Sequence, residues 1–518
     1  AAVLPILGYF LHNFNEAQWQ PTVDGAWLLA WVLWLVVWWR RDVPSLPRLS
    51  HPIWFYALYV LALAPFAANW RWVMAGDNLS WPVGGLVVAE HGIDRSPLSA
   101  NGADNFGYMQ MLLHDSLMFL ISPTIFWHRI GKIFVGLAAL IGIYSFFARL
   151  VAPAFALLVA ATAASCSVWI VYTYASVPFL DGLAFGYASL AVALWIRRDP
   201  DSLKAWLTLG WMSGLMLFFT PNGWFLDLCA WLSLLPLLVR RPARFGHAVV
   251  AGITGILVGC PMFIQWSHGQ GGQLFSLVEN PAWTAEKVRS FLTQAATIPF
   301  SSPIQGAGAF GPQLPMGFRW LFIPSILVTP IFARYFPGAR AVLALYIVNV
   351  IILAFAQGPY ADVSVKRALV LIPLATYFVF IPAQRLLRSY LVVLPIIAVW
   401  ASFGIYDIVD RMQPGRTGYT FLDGIVEAHQ RFDDGPVCIY LSRDYWPEVW
   451  KPGQPLDRLY HLSPRLVQVD DVHDARCQKT LCYVPTLSDT DKLVDLRGLG
   501  YEEVKMLNSV ELHCGRRG

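Results

Sequence analysis

The sequence is poor in charge. Of its 518 residues only 14% are Asp, Glu, Lys or Arg, against about 25% in an average soluble domain. A water-soluble globule of this size needs more polar surface, so a soluble enzyme is excluded, and with it a disordered chain and a coiled coil. Neither sign of charge predominates. Lys and Arg number 37 and Asp and Glu 33, a net +4, which gives nucleic-acid binding no support. No internal repeat and no low-complexity tract is found. Cysteine is scarce, with seven in all. Cys166, Cys229 and Cys260 fall in apolar runs and read as packing residues. Cys438, Cys477, Cys482 and Cys514 share the polar C-terminal tail and permit two disulfides if that tail is outside the cell. They lack the paired spacing of a zinc ribbon.

What is abundant is apolar and aromatic: 56% hydrophobic residues, with 23 Trp, 20 Tyr and 32 Phe. Aromatic rings anchor helix ends at the two membrane–water interfaces. A spanning helix needs about 20 largely apolar residues. Such spans read near 22–39, 51–68, 130–149, 151–172, 174–196, 204–220, 223–239, 246–265, 319–335, 341–357, 368–384 and 390–407. Residues 1–12 read as one more, incomplete helix, and no signal peptide is recognisable. The expected fold is a polytopic α-helical membrane protein of about 12–13 transmembrane helices with a small C-terminal extracytoplasmic α/β domain.

Basic residues orient it. One set of short loops holds Arg40, Arg41 and Arg48; Arg149; Arg197, Arg198 and Lys204; Arg240, Arg241 and Arg244; Arg334 and Arg340; Arg385 and Arg388. The alternating set is longer and poorer in Lys and Arg, so the first set is placed in the cytoplasm. Three regions are then outside: loops at 69–129 and 267–318, and the tail 408–518. The apolar stretches Ser116 to Trp127 and Phe291 to Phe300 are too short to span and fit helices lying in the interface, or plain connectors. In the tail, 420–431 reads as a helix, and Pro436 to Ser442, Leu466 to Asp470, Leu481 to Pro485 and Val510 to Cys514 read as strands. The tail has no glycine-rich phosphate loop and no nucleophile motif, so chemistry is expected elsewhere.

A carboxylate near the apolar layer is costly and needs a reason. Asp77 follows the span 51–68 closely, with Arg71 nearby. It reads as a general base or as a ligand for a cation at a phosphate-bearing substrate. It also reads as a turn residue, since Gly76, Asp77 and Asn78 suit a turn. Asp181, near the outer end of span 174–196, is either functional or a helix N-terminal carboxylate favoured by the dipole. Asp227 reads as structural. Glu90, His91, His114 and Asp115 in the first outer loop leave a divalent metal open without any tight ligand motif. Lys366 and Arg367 open a span on its outer side, against the charge bias and the helix dipole, which suits a phosphate or pyrophosphate partner. Snorkelling to lipid headgroups is the other reading. Arg129 and Lys132 form a second outer cationic pair with the same two readings.

Several of these stretches resemble the GT-C superfamily of membrane glycosyltransferases, nearest in look to its protein O-mannosyltransferase and aminoarabinose-transferase branch. Gly76, Asp77 and Asn78 stand where that branch has an acidic first-loop motif. His114, Asp115, Ser116 and Leu117 stand where a His-Pro-Pro-Leu-like stretch opens the next helix. Trp127 to Gly136 resembles the stretch with an arginine before a glycine-containing helix. Pro178 to Asp181 resembles the segment with a second acid, and Lys366 to Pro373 the late arginine-to-proline stretch. The likeness covers about residues 51–407 in layout. Residues 1–50, with extra helices, depart from it and are expected to dock a partner subunit.

The resemblance implies transfer of a sugar from a polyprenyl-phosphate donor to a lipid, glycan or protein acceptor on the extracytoplasmic face, in the inner membrane of a bacterium. Asp77 would activate the acceptor hydroxyl and Asp181 would orient it. Lys366 and Arg367, with Arg71 and Arg129 in lesser roles, would hold the lipid phosphate. Glu90, His114 and Asp115 would line the acceptor side. The pattern fixes no cofactor and leaves a divalent metal open. Where the family often has two adjacent acids this chain has Asn78 after Asp77, and Asp115 and Ser116 replace the two prolines. These departures keep a second reading open, a catalytically degenerate subunit of a membrane complex. A lipid-linked-glycan transporter would show repeats and broken helices in matching halves, and the sequence shows neither.

Overall fold

The computed structural model describes residues 29, 32, 34–36, 39, 50–67, 116–121, 125–174, 180–217, 221–265, 285–300, 314, 316–336, 338–355, 369–411, 420–432, 435–440, 465–469, 471–483, 494–506 and 512–517. The chain divides into two compact units. The first takes in residues 1–56, 135–171 and 178–405, the second 57–134, 172–177 and 406–518.

The helices, in chain order, are α1 (Ile53–Ala67), α2 (Ser116–Ile121), α3 (Ile125–Phe147), α4 (Pro153–Ala164), α5 (Ser167–Tyr174), α6 (Leu180–Arg198) and α7 (Leu203–Met216). They continue with α8 (Pro221–Arg240), α9 (Phe245–Gln265), α10 (Ala285–Thr297), α11 (Arg319–Phe332), α12 (Ala339–Phe355), α13 (Leu371–Phe380), α14 (Tyr390–Arg411) and α15 (Thr420–Arg431). Four stretches among the described residues are long and apolar enough to cross a bilayer: Phe126–Phe147, Leu180–Arg198, Gly223–Arg240 and Pro242–Gly259. Shorter apolar helices supply the rest of the polytopic layout.

The first unit is built around α4 and α13, whose side chains are buried from Ala154 to Ala164 and from Leu371 to Val379. Apolar burial does not separate helix contacts from lipid contacts in a membrane, so packing and internal hydrogen bonds must hold these helices together. Tyr377 of α13 stacks on Phe147 of α3 and meets Phe155 of α4 edge-on, both at 5.8 Å between ring centres. Tyr187 of α6 donates its hydroxyl to the Val370 carbonyl at 2.9 Å, so the buried phenol keeps a partner.

Glycine brings other helices into backbone contact. A Cβ on Gly210 or Gly214 of α7 would meet the carbonyls of Ala251 and Gly255 on α9. A Cβ on Gly223 of α8 would meet the Gly182 carbonyl of α6, and one on Gly186 would meet Leu226. Gly210 and Gly214, like Gly182 and Gly186, are four apart and so share a helix face. The opposite face of α8 shows Leu228, Leu232, Leu235 and Val239, all exposed at helical spacing, as lipid contact requires. Trp34 stacks on Trp211 of α7 at 4.5 Å, so the chain before α1 packs on this unit, while Leu29, Val32, Leu35, Val36 and Trp39 are exposed.

Two spans differ from their sequence reading. The stretch 151–172 is not one helix: it breaks between α4 and α5. The Ser165 hydroxyl donates to the Ala161 carbonyl at 2.8 Å and the Cys166 thiol to that of Thr162 at 3.3 Å. Side chains that bond back to the preceding turn bend a helix. The span read at 130–149 begins at Ile125 instead, and His128, Arg129 and Lys132 are buried on α3. The apolar stretch Ser116 to Trp127 is thereby divided between α2 and α3. The stretch ending at Phe300 becomes α10 and a short 3-10 turn. It is pinned by Tyr346 of α12, whose hydroxyl donates to the Ala296 carbonyl at 2.7 Å.

The basic turns gather at one end of the first unit. Arg198, ending α6, donates to the Arg149 carbonyl after α3 at 2.6 Å. Arg244 pairs with Asp201 between α8–α9 and α6–α7. Gly338, before α12, has a positive φ of 78° and lies against Leu150.

In the second unit the tail holds α15 and a five-stranded sheet in the order β2-β1-β3-β5-β4. The strands are β1 (Val437–Tyr440), β2 (Leu466–Val469), β3 (Thr480–Tyr483), β4 (Glu502–Val504) and β5 (His513–Arg516). β2, β1 and β3 are parallel, and β5 and β4 run antiparallel. The four expected strands lie within the four apolar runs or overlap them, and α15 spans the expected 420–431. Strand β4 was not expected, since Glu502, Glu503 and Val504 carry two charges and no clear alternation. Disulfides join Cys438 to Cys477 and Cys482 to Cys514. The second couples residues directly opposite each other on β3 and β5. Cys438, Cys477, Leu481, Tyr483, Leu496 and Tyr501 pack as one buried cluster.

Candidate functional site

Asp181 lies in the first turn of α6 and is 4% exposed. Its Oδ1 accepts from the Gly182 backbone N–H at 2.6 Å. The first turn of a helix leaves N–H groups without intrahelical partners, and the dipole favours a negative charge there. The neighbouring start of α8 fixes this turn closely, through Gly223 against the Gly182 carbonyl. The other end of α6 carries Arg197 and Arg198. Asp181 is thus a buried carboxylate at the helix end remote from the basic turn.

Arg129 lies near the start of α3. It is 1% exposed, and its Nη1 donates to the Ala67 carbonyl, the last residue of α1, at 3.0 Å. A cation at a helix C-terminus is stabilised by the carbonyls there. His128 and Lys132 are buried beside it on the same helix. Three basic side chains within two turns are rare in an apolar helix and mark function more often than packing. The sequence pointed to Arg129 and Lys132 as an outer cationic pair, meeting a phosphate or snorkelling to headgroups; their burial was not legible, because it depends on what α3 packs against.

Asp77, Arg71, Glu90, His114, Asp115, Lys366 and Arg367 lie outside the described residues. Just after Lys366 and Arg367, Leu369 and Val370 are buried and lead into α13. Asp227 accepts at Oδ1 from the Ser213 hydroxyl of α7 at 3.0 Å, and Trp231 Nε1 donates to the same hydroxyl oxygen at 2.8 Å. This polar knot ties α7 to α8, in keeping with a structural reading of Asp227. Among the described residues no group of three or more His, Cys, Asp or Glu side chains is placed to hold a metal ion.

No known family profile and no curated protein matches the sequence. Solved structures do match the fold. ArnT from Cupriavidus metallidurans in the apo state superposes with a TM-score of 0.52 at 12% identity, covering 89% of this chain and 97% of that one. The same protein bound to undecaprenyl phosphate gives 0.54 at 12% identity over the same shares. This chain has the GT-C fold. A weaker likeness, at a TM-score of 0.43 and 10% identity, is to the archaeal oligosaccharyltransferase AglB from Archaeoglobus fulgidus in complex with an inhibitory peptide and a dolichol-phosphate. It covers 87% of this chain and 73% of AglB. Within the GT-C fold of this chain, Asp181 and Arg129 are the two expected site residues whose positions are described, each buried at its own helix start.

Proposed function

We propose that this chain is a membrane glycosyltransferase that moves a sugar from a polyprenyl-phosphate donor to a lipid, glycan or protein acceptor on the extracytoplasmic face. The observation that carries the reading is the GT-C fold over 89% of the chain together with a buried carboxylate, Asp181, at the end of α6 remote from the basic turn. The membrane is a bacterial inner membrane, with the basic turns in the cytoplasm. The two disulfides support an oxidising compartment for the tail, since such bonds persist outside the cytosol.

In this reading Asp77 takes the proton of the acceptor hydroxyl as its oxygen attacks the anomeric carbon. The bond from that carbon to the phosphate oxygen breaks, and the lipid phosphate leaves with the electron pair. Negative charge grows on the phosphate in the transition state. Lys366 and Arg367, helped by Arg71 and Arg129, stabilise it in a site of low water content. Asp181 orients the acceptor, and Glu90, His114 and Asp115 line its path. The exposed apolar face at Leu29, Val32, Val36 and Trp39 is where a membrane partner would dock.

The test is a transfer assay with purified protein and a panel of radiolabelled polyprenyl-phosphate sugars. Transfer is expected from one donor, and it should be lost in Asp77→Asn and weakened in Asp181→Asn with folding retained. The second reading, a degenerate subunit, is favoured by Asn78 after Asp77 and by Asp115 and Ser116 in place of two prolines. Wild type and variants equally inert across the panel, with a partner complex purifying intact, would decide for it.

A further inference from the structure

At the basic end of the first unit two arginines bond carbonyls at the end of α3, and among the described residues no carboxylate stands between them. Arg198 Nη2 donates to the Arg149 carbonyl at 2.6 Å, and Arg149 Nη1 folds back onto the Ser145 carbonyl of its own helix at 2.8 Å. Neither has an ion pair among the described residues. Asp199, next to Arg198, is bonded to neither through its side chain, and Asp201 is taken by Arg244. Aromatic polar groups stand next to them. Tyr144 donates to the Ser50 carbonyl at 2.6 Å, and Tyr390 lies in electrostatic reach of it. His51 Nδ1 is 3.1 Å from the Tyr56 hydroxyl, its ring is 5.5 Å from that of Tyr144, and it is in electrostatic reach of Arg149.

A basic residue that only marks a cytoplasmic loop extends into water. Arg149 does the opposite: it is half-buried, bent onto its helix, and held beside a second arginine. An anion beside two such cations gains charge-assisted hydrogen bonds that backbone carbonyls alone do not supply. Basic pockets between transmembrane helices at the cytoplasmic side accept phospholipid headgroups. Phenols at the same level offer hydroxyls to phosphate oxygens and rings to the upper acyl chains.

We propose that the ends of α3 and α6 and the starts of α1 and α14 form a binding site for the phosphodiester headgroup of an anionic glycerophospholipid in the cytoplasmic leaflet. Arg149 and Arg198 hold the phosphate, and Tyr390 and His51 flank it. The leaflet assignment rests on the orientation proposed above; the binding site does not. It is separate from the donor site, which is expected at the opposite helix ends.

The experiment is native mass spectrometry of the purified full chain in detergent, titrated with phosphatidylglycerol, phosphatidylcholine or inorganic phosphate. Phosphatidylglycerol is expected to stay bound, phosphatidylcholine not. Arg149→Gln and Arg198→Gln should each weaken retention about tenfold, the size of one charge-assisted hydrogen bond. Arg334→Gln, an exposed cation over its own Tyr335 ring, should change nothing. Arg198 is exposed, so its variant is expected to fold even if the Arg149 variant does not. Equal retention by wild type and Arg198→Gln overturns the proposal. Inorganic phosphate displacing the lipid at equal concentration overturns the lipid assignment. Labelling of Arg198→Cys from outside the cell would refute the orientation and leave the lipid result standing.

Discussion

Replacing Gly210 by alanine drives a methyl group into the backbone of α9. The new Cβ would be 2.6 Å from the Ala251 carbonyl carbon and 2.9 Å from its Cα, where ordinary contact is 3.4–4 Å. Neither atom is a flexible side-chain end, so the helices must part by about 1 Å. A gap of that size forfeits about a quarter to a half of the dispersion energy across the contact. Overpacking of this kind costs about 1–3 kcal/mol. Gly252, on α9 itself, is the control: a Cβ there meets nothing within 4 Å. Both substitutions gain the same helix propensity, up to about 1 kcal/mol, so their difference isolates the contact. The reporter is already in the chain. Cys166 and Cys229 are free and buried, and a thiol-reactive dye reads their exposure on heating in detergent. Gly210→Ala should melt well below wild type and Gly252→Ala at or above it. Coincident melting curves for the two variants would refute the packing argument.

Other outcomes follow from the same geometry. Asp227→Ala removes the carboxylate that accepts from the Ser213 hydroxyl and should cost about 1–3 kcal/mol in the same thermal assay; an unchanged curve would count against the polar knot. In the tail, two hydrogen bonds from the Arg476 side chain and one from its backbone hold the Asp474 carboxyl down to about 2. A depressed carboxyl contributes stability above its unfolded value of about 3.9, and that share is lost as pH falls through about 2. Acid titration of the full chain, followed at the tail, should lose this component in Asp474→Asn; an identical acid curve would refute it. Non-reducing peptide mapping should recover Cys438 with Cys477 and Cys482 with Cys514. Removing either disulfide is expected to cost the tail about 2–4 kcal/mol. Recovery of crossed pairs would overturn the sheet register.

The spans were legible because a run of apolar residues has one cheap fate in a membrane, and the alternating basic turns agree with helix ends that meet in space. The tail strands were legible from short apolar runs. What escaped the sequence was decided by partners distant along the chain. Ser165 and Cys166 look like any small residues in an apolar run, yet α4 ends there and α5 begins. Arg129 and Lys132 look like a cationic pair at the outer end of a span, yet α3 starts early and buries them. Of the candidate site, Asp181 was visible as a carboxylate where none is expected, and its Gly182–Gly223 support was not. The cluster around Arg149 draws on four separate stretches, none of which carries a motif.

Gly404 gives the break between α4 and α5 a consequence for how the protein is made. A Cβ on Gly404 would stand 3.2 Å from the Ser165 carbonyl oxygen and 2.9 Å from Ile170, so α14 beds down where the earlier helix is interrupted. Its seat is therefore complete long before α14 leaves the ribosome. The last membrane helix arrives at a prepared slot, and the helix leading into the tail is fixed in the first unit only at that closing step. A truncated or stalled chain would hold every other helix of the bundle and still lack the one that completes it.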